Sequence, residues 1–368
     1  MNGKKVPVAV CENGQVKAVM SPDMTEGTVS VYYGESSYIL VSDLISLFTL
    51  CVCLFFGIRK RFMKEGCFMN LLVLGGSYFL GKHFVNMASG EHEVTVFNRG
   101  NRPLENPGVR EIRGDRHDLD ALAGLKGKHF NAVVDFCAYQ KGDIEMVFRS
   151  LDADFDQYIF ISTSDVYERG LNRLLDETAP LEKRVFGGEA GAYISGKVAL
   201  ERELEDCGAR YGVKYTSIRP AFIYGPDNYA PRESMYFLWI EQAGQILHPV
   251  DATGIFQMVY VEDVALAILR ALGNQAAFNG ALNLAPLQME TYDSFAAALK
   301  ESCEKPFELV EVTVSQALEK NLPLPFPLTR EESNQYDGRK ALQLIGQYTA
   351  LTEGMKKTFA WRKCQTTG

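Results

Sequence analysis

The stretch AYISGK sets Tyr193 and Lys197 four residues apart. On a helix that spacing puts both side chains on one face, one turn apart. An ammonium beside a phenol favours the phenolate and lowers its pKa. A tyrosine so tuned can give or take a proton at a carbinol oxygen while a nicotinamide exchanges hydride with the carbon. Upstream, STSDVY supplies Thr163 and Asp165 at the end of an apolar run. The Thr163 hydroxyl could orient the same substrate oxygen and share its developing charge. Asp165 could act as a base or as a hydrogen-bond partner of the substrate. Each feature also has a plainer explanation. Y-x-x-x-K spacing is common on surfaces, and serines, threonines and aspartates form turns at strand ends.

Such chemistry needs a cofactor held in place. The stretch LVLGGSYFLGKHF, residues 72–84, has the form of a phosphate-binding turn between a strand and a helix. Gly75 suits the tight turn and Gly81 lets the helix pack close to the strand. Ser77, Tyr78, Phe79 and Leu80 would then face a pyrophosphate at the helix N-terminus. Tyr78 stands where the usual fingerprint has a further glycine. We expect its ring to point away from the turn and flank the pyrophosphate, with the N–H groups of Phe79 and Leu80 still reaching it. The second strand ends in FNRGNRP. Many NAD sites carry a carboxylate at this edge, but here the residues are Asn98 and Arg99, with Arg102 nearby. An arginine without a carboxylate suits a 2′-phosphate, so the expected cofactor is NAD(P), with a lean to NADP. A solvated basic turn is the alternative.

The elements that must position these groups are legible as alternating strands and helices. NLLVLGG, HEVTVFNRG, VREIRGD, FNAVVDFCA, FDQYIFISTSDVY and KYTSIRPAFIYGPD contain six strands. YFLGKHFVNMAS has helical spacing, with Phe79, Leu80, Phe84, Val85 and Met87 as its apolar stripe. Strands separated by helices argue for a parallel sheet covered on both faces. The apolar runs AVVDF and YIFIS suit strands buried on both sides.

Composition is that of an ordinary globular chain: 368 residues, 46% hydrophobic and 23% charged. Residues 69–368 hold 31 basic and 40 acidic residues, a net of −9, which disfavours wrapping a phosphate backbone. Eight scattered cysteines form no C-x-x-C pair and five histidines are isolated, so we expect no metal site, no disulfide framework and a reducing cytoplasm.

From Met69 onward the motifs GGSYFLG, GDRHDLD, FCA, STSDVY, YISGK, IRPAFIYGPDN, YVEDVALAI, ALNLAP and YDGRKALQLIG follow one another. In this order they make residues 69 to about 362 resemble an extended short-chain dehydrogenase/reductase of the NAD-dependent epimerase/dehydratase family. The resemblance implies an α/β fold: a Rossmann-type doubly wound parallel sheet with a smaller C-terminal substrate-binding subdomain. It implies the triad Thr163, Tyr193 and Lys197, with Asp115 near the adenine. Phe136 and Cys137 would form the turn over the adenosine ribose, and Pro220 and Phe222 would line the nicotinamide. The non-glycine at Tyr78, the following phenylalanine and FNRG resemble an atypical branch that includes the plastid stem-loop RNA-binding proteins and bacterial relatives. Keeping both Tyr193 and Lys197 departs from that branch and favours retained redox chemistry.

The resemblance implies an isomerase or oxidoreductase working on a nucleotide sugar. Sugar 4,6-dehydratases carry Asp-Glu directly after the active-site threonine. Here those positions are Ser164 and Asp165, which ranks dehydration below epimerisation or simple oxidoreduction. Asn228 and Arg232 could meet a diphosphate, because arginine recognises phosphate in a forked geometry. The alternatives are an RNA-binding or regulatory protein that uses the fold as a scaffold, or a ketone reductase without a nucleotide handle. A homodimer is compatible with the resemblance.

The expected organisation is an N-terminal extension over 1–68, a cofactor domain over 69–220 with 258–284 returning to it, and a substrate subdomain from 221–257 and 285–368. The extension contains an apolar run from Ile39 to Ile58 followed by RKR. Asp43 breaks it, leaving about fifteen uninterrupted residues, marginal for a membrane span. The codons of Lys64-Glu65-Gly66 can spell a purine-rich ribosome-binding run ahead of Met69, so we expect Met69 to be the native start, with a weak membrane anchor as the alternative. Intact mass of the native protein decides between them.

Overall fold

Leu71 and Val73 pack into one apolar core while Leu72 and Leu74 pack into another. That alternation repeats along the neighbouring strands. Ala132 and Val134 join the first core and Val133 the second; Ile159 and Ile161 join the first, Tyr158 and Phe160 the second. Period-two side chains with both faces apolar require layers of helix on each side of the sheet.

The computed structural model describes residues 8–10, 16–18, 68–171 and 173–366. The apolar run at 39–58 and the Lys64-Glu65-Gly66 stretch lie outside them. The chain divides into compact units at 1–66 and 67–368. In the first unit, Val8–Val10 pairs antiparallel with Val16–Ala18. The second unit holds the described residues from Phe68 onward.

Seven parallel strands form its main sheet: β1 Asn70–Leu74, β2 Glu93–Asn98, β3 Arg110–Arg113, β4 Phe130–Asp135, β5 Phe155–Ile161, β6 Lys214–Pro220 and β7 Gly280–Leu284. Their spatial order is β3-β2-β1-β4-β5-β6-β7. The order reverses between β1 and β4, the switch point where a doubly wound fold opens a crevice for a dinucleotide. The first six strands fall within the six runs expected. The seventh, GALNL, has no separate periodicity signal and lies within the ALNLAP region.

The helices are α1 Leu80–Ala88, α2 Leu119–Ala123, α3 Asp143–Ser150, α4 Gly188–Tyr211, α5 Glu233–Ala243, α6 Val261–Ala271, α7 Tyr292–Ser302, α8 Val314–Glu319, α9 Arg339–Ile345 and α10 Leu351–Thr366. Helix α1 buries Leu80, Phe84, Val85 and Ala88, a stripe at helical spacing, and packs against α6. Outside the main sheet, Phe222–Tyr224 pairs with Met258–Tyr260 and Gln245–Pro249 with Glu308–Val312, both parallel. Of these four strands, Phe222–Tyr224 reaches the substrate-side cavity, through Phe222.

Among the described residues, no helix is long and apolar enough to cross a membrane.

Candidate active site

Strand β5 ends at Ile161, and Ser162 continues its pairing through Ile218 O at 2.8 Å. Thr163 then caps a short 3-10 turn over Ser164–Val166, its hydroxyl accepting from the Asp165 N–H at 3.2 Å. Helix α4 runs alongside. Its approach depends on Gly196, because a Cβ there would sit 2.6 Å from the Tyr139 carbonyl oxygen. That closeness brings Lys197 into the sheet edge. Its Nζ donates to Ala138 O at 2.9 Å and to Ile161 O at 2.8 Å. Thr163, Tyr193 and Lys197 are thus brought together at the C-terminal ends of β4 and β5.

Their electrostatics differ from expectation. Lys197 is buried, which pulls its pKa down to about 8. Tyr193 is pushed up to about 12, first by burial of its phenol and then by the Asp165 carboxylate; the Thr163 hydroxyl beside it acts the other way. As a whole residue Tyr193 is 41% exposed, so the residue keeps contact with solvent. The net shift is upward, against the lowering expected from the ammonium, with burial as its largest cause; Lys197 Nζ stands 5.8 Å from the Tyr193 ring centre and bonds to carbonyls. Asp165 is held above the usual carboxylate range by burial, against the pull of Arg169 and Arg232.

The turn after β1 has two glycines at positive φ, Gly75 at 91° and Gly76 at 85°. Gly76 carries no separate signal in the fingerprint reading. A Cβ there would meet Val73 and Val85 at 2.9 and 3.0 Å, so glycine is required by space as well as by φ. A Cβ on Gly81 would lie 2.7 Å from Gly76 Cα, which is the close helix packing expected of it. Tyr78 is half-buried; its ring stacks on Tyr229 at 5.1 Å and carries the Arg102 guanidinium at 3.6 Å. The non-glycine forced to positive φ is the next residue, Phe79, at 43°. Such backbone costs of order 1–3 kcal/mol and clusters at ligand sites.

At the end of β2, Asn98 is buried, and its Oδ1 accepts from the Gly100 N–H at 2.7 Å while its Nδ2 has no protein partner. Arg99 is exposed beside Asp115, whose carboxyl is lowered by the His117 N–H and by that arginine. Arg113, which pairs with Asn98 across β2 and β3 and donates to the Glu111 carboxylate at 3.0 Å, packs against Gly100 and adds an exposed cation to Arg99 and Arg102. Phe136 and Cys137 abut the β1 turn, 3.4 and 3.6 Å from a Cβ placed on Gly75. Their turn is held from below: Asp135 accepts from Cys137 N–H at 2.9 Å and takes a two-pronged bond from buried Arg116. Burial pushes the Cys137 thiol up to about 12, so it is unreactive.

On the substrate side a cavity of about 310 Å³ opens beside Thr163. Asp165, Pro220, Phe222 and Arg232 line it, as do Arg169, Gln257, Glu332, Asn334 and Tyr336, which the sequence does not single out. Asn228 does not line it. Its amide donates to the Glu233 carboxylate at 2.8 and 3.0 Å. Asp263, in the first turn of α6, accepts from Thr349 N–H and Oγ1 at 2.7 and 2.8 Å and anchors the segment before α10.

The positive-φ glycine turn, the unpartnered Asn98 amide and the third hydrogen of Lys197 fit a nicotinamide dinucleotide along the crevice.

Residues 143–285 match the model of the NAD dependent epimerase/dehydratase family. The chain is 29% identical over 247 residues to the chloroplast stem-loop binding protein of 41 kDa b from Arabidopsis thaliana, covering 62% of each protein. It therefore spans less than two thirds of that relative. Among solved structures, an epimerase from Methanothermobacter thermautotrophicus superposes with a TM-score of 0.68 at 15% identity, over 83% of this chain and 95% of that one. The UDP-glucose 4-epimerase from Thermotoga maritima, solved with UDP-glucose, superposes with a TM-score of 0.66 at 22% identity, over 81% and 100%. At these identities the two structures establish a shared Rossmann-type fold.

Proposed function

Starting from a chain whose residues 143–285 carry an NAD dependent epimerase/dehydratase domain, we propose that it is an NAD(P)-dependent epimerase or oxidoreductase. Its substrate is a nucleotide sugar or a related hydroxyl or ketone compound. The observation that carries this reading is the convergence of Thr163, Tyr193 and Lys197 beside a cavity that Thr163 lines together with Asp165, Arg169 and Arg232.

The nicotinamide, when bound, supplies the hydride acceptor or donor. The β1–α1 turn, Asn98, Phe136 and Cys137, Pro220 and Lys197 are the residues to hold it. Arg99 and Arg113 favour a cofactor with a 2′-phosphate. With its pKa near 12, Tyr193 carries its proton at neutral pH and is set to donate it to a substrate oxygen. To work as a base it must first lose that proton. Thr163 orients the same oxygen. Ser164 is buried, and its hydroxyl lacks the acidity of a carboxyl, so it offers no acid for eliminating water, which keeps dehydration ranked last. Arg169 and Arg232 suit an anionic handle such as a diphosphate.

The experiment is to purify the full chain, look for bound nicotinamide by absorbance, and supply UDP-, dTDP- and GDP-sugars. Nicotinamide binding with turnover of one class supports the proposal. Absence of nicotinamide binding would sink it. The stem-loop binding named for the Arabidopsis relative keeps RNA binding as the second reading. Salt-sensitive RNA binding without nicotinamide binding would favour that one.

A further inference from the structure

Tyr229 is 65% exposed, yet its ring is held in a defined place. The loop that carries it is pinned on both sides. Before it, Lys82 Nζ meets Asp227 at 3.3 Å and the His83 ring contacts Pro226 O at 3.2 Å, tying the loop to α1. Around it, Asn228 binds the buried Glu233 carboxylate through Nδ2 and accepts from the Ala230 N–H at 3.0 Å. Between these anchors the Tyr229 ring stacks on Tyr78 at 5.1 Å and 24°, and meets Phe79 edge-on at 5.9 Å. Arg102 sits on the Tyr78 ring, fixing the lower member of the stack. The Tyr229 phenol also lies close enough to Tyr139 and Tyr193 to raise both. Tyr229 therefore touches the phosphate turn and neighbours the proton-transfer pair, the two ends between which a dinucleotide must run.

We propose that Tyr229 is a cofactor-positioning residue: its ring, stacked on Tyr78, roofs the groove between the β1–α1 turn and Tyr193 and retains the nicotinamide dinucleotide. This rests on the nicotinamide reading above. A rigid aromatic with two torsions is suited to the task, because little freedom is lost when it closes over a ligand. Because the same loop ends at Arg232, which lines the substrate cavity, cofactor retention and substrate binding share one segment.

The test is the dissociation rate of NADPH from the full chain, followed by its fluorescence after a chase with excess NADP. Wild type and Tyr229→Phe should release NADPH at similar rates, and Tyr229→Ala about tenfold faster, the size expected for loss of a stacked pair. Circular dichroism melts establish that both variants fold. An unchanged release rate in Tyr229→Ala, with NADPH binding intact in wild type, overturns the roof while leaving the cofactor reading standing. Failure of wild type to bind NADPH or NADH overturns both.

Discussion

Lys197 lies one helical turn from Tyr193, yet its ammonium donates to the Ala138 and Ile161 carbonyls, 5.8 Å from the Tyr193 ring centre. On the function proposed above, the pair acts as a proton donor beside a cofactor holder, rather than as a phenolate stabilised by direct contact. Several consequences can be measured.

Tyr193→Phe removes the hydroxyl and keeps the ring. Turnover should fall by about 10²–10⁴-fold, the usual contribution of a positioned acid. NADPH affinity should stay within a few-fold, because the proposed holding groups lie elsewhere. Steady-state kinetics with a parallel fluorescence titration check both. Undiminished turnover would remove Tyr193 from its role.

Lys197 titrates at about 8, whereas Tyr193 stays protonated to about 12. The ammonium is charged below pH 8 and neutral above it. Activity that needs the charge should decline as pH rises through about 8. A profile of kcat/KM from pH 6 to 10 should show this limb, and a flat profile would contradict it.

Arg99 and Arg113 flank the end of β2 and β3, where a 2′-phosphate would lie. The double substitution Arg99→Ala, Arg113→Ala should weaken NADPH by roughly tenfold or more and leave NADH nearly unchanged, since each forked contact to phosphate is charge-assisted. Equal loss for both cofactors would argue against a 2′-phosphate site.

Glu233 is fully buried, and burial raises its pKa from 4.5 to about 7 against the hydrogen bonds from Asn228 and Gly225. The folded chain thus holds this proton more tightly than the unfolded chain. The contribution to stability is complete below pH 4.5 and is lost as pH rises through about 7, a change of about 3 kcal/mol. Glu233→Gln should flatten this part of the stability profile and melt higher than wild type at pH 8. Parallel pH dependence in the two proteins would rule the assignment out.

The positions of the first six strands along the chain follow from short apolar runs, because burial on both faces leaves a local imprint that needs no tertiary information. So do the glycine turn and the Tyr193–Lys197 spacing. The seventh strand and Gly76 are less visible: one has no pattern of its own, and the need for the other appears only when Val73 and Val85 close on it. The cavity could not be read at all. Arg169, Gln257, Glu332, Asn334 and Tyr336 come from segments up to 167 positions apart, and nothing local marks them as neighbours. Asn228 shows the converse, a polar residue in a promising motif whose amide is committed to a buried carboxylate. The sequence by itself determined which side chains were available and which elements would carry them. Only the tertiary structure decided what each one faces, and with it the direction of the Lys197 ammonium, the protonation of Tyr193 and the stacking of Tyr229 on Tyr78. Hydrogen-bond partners and loss of water are properties of surroundings assembled from distant parts of the chain.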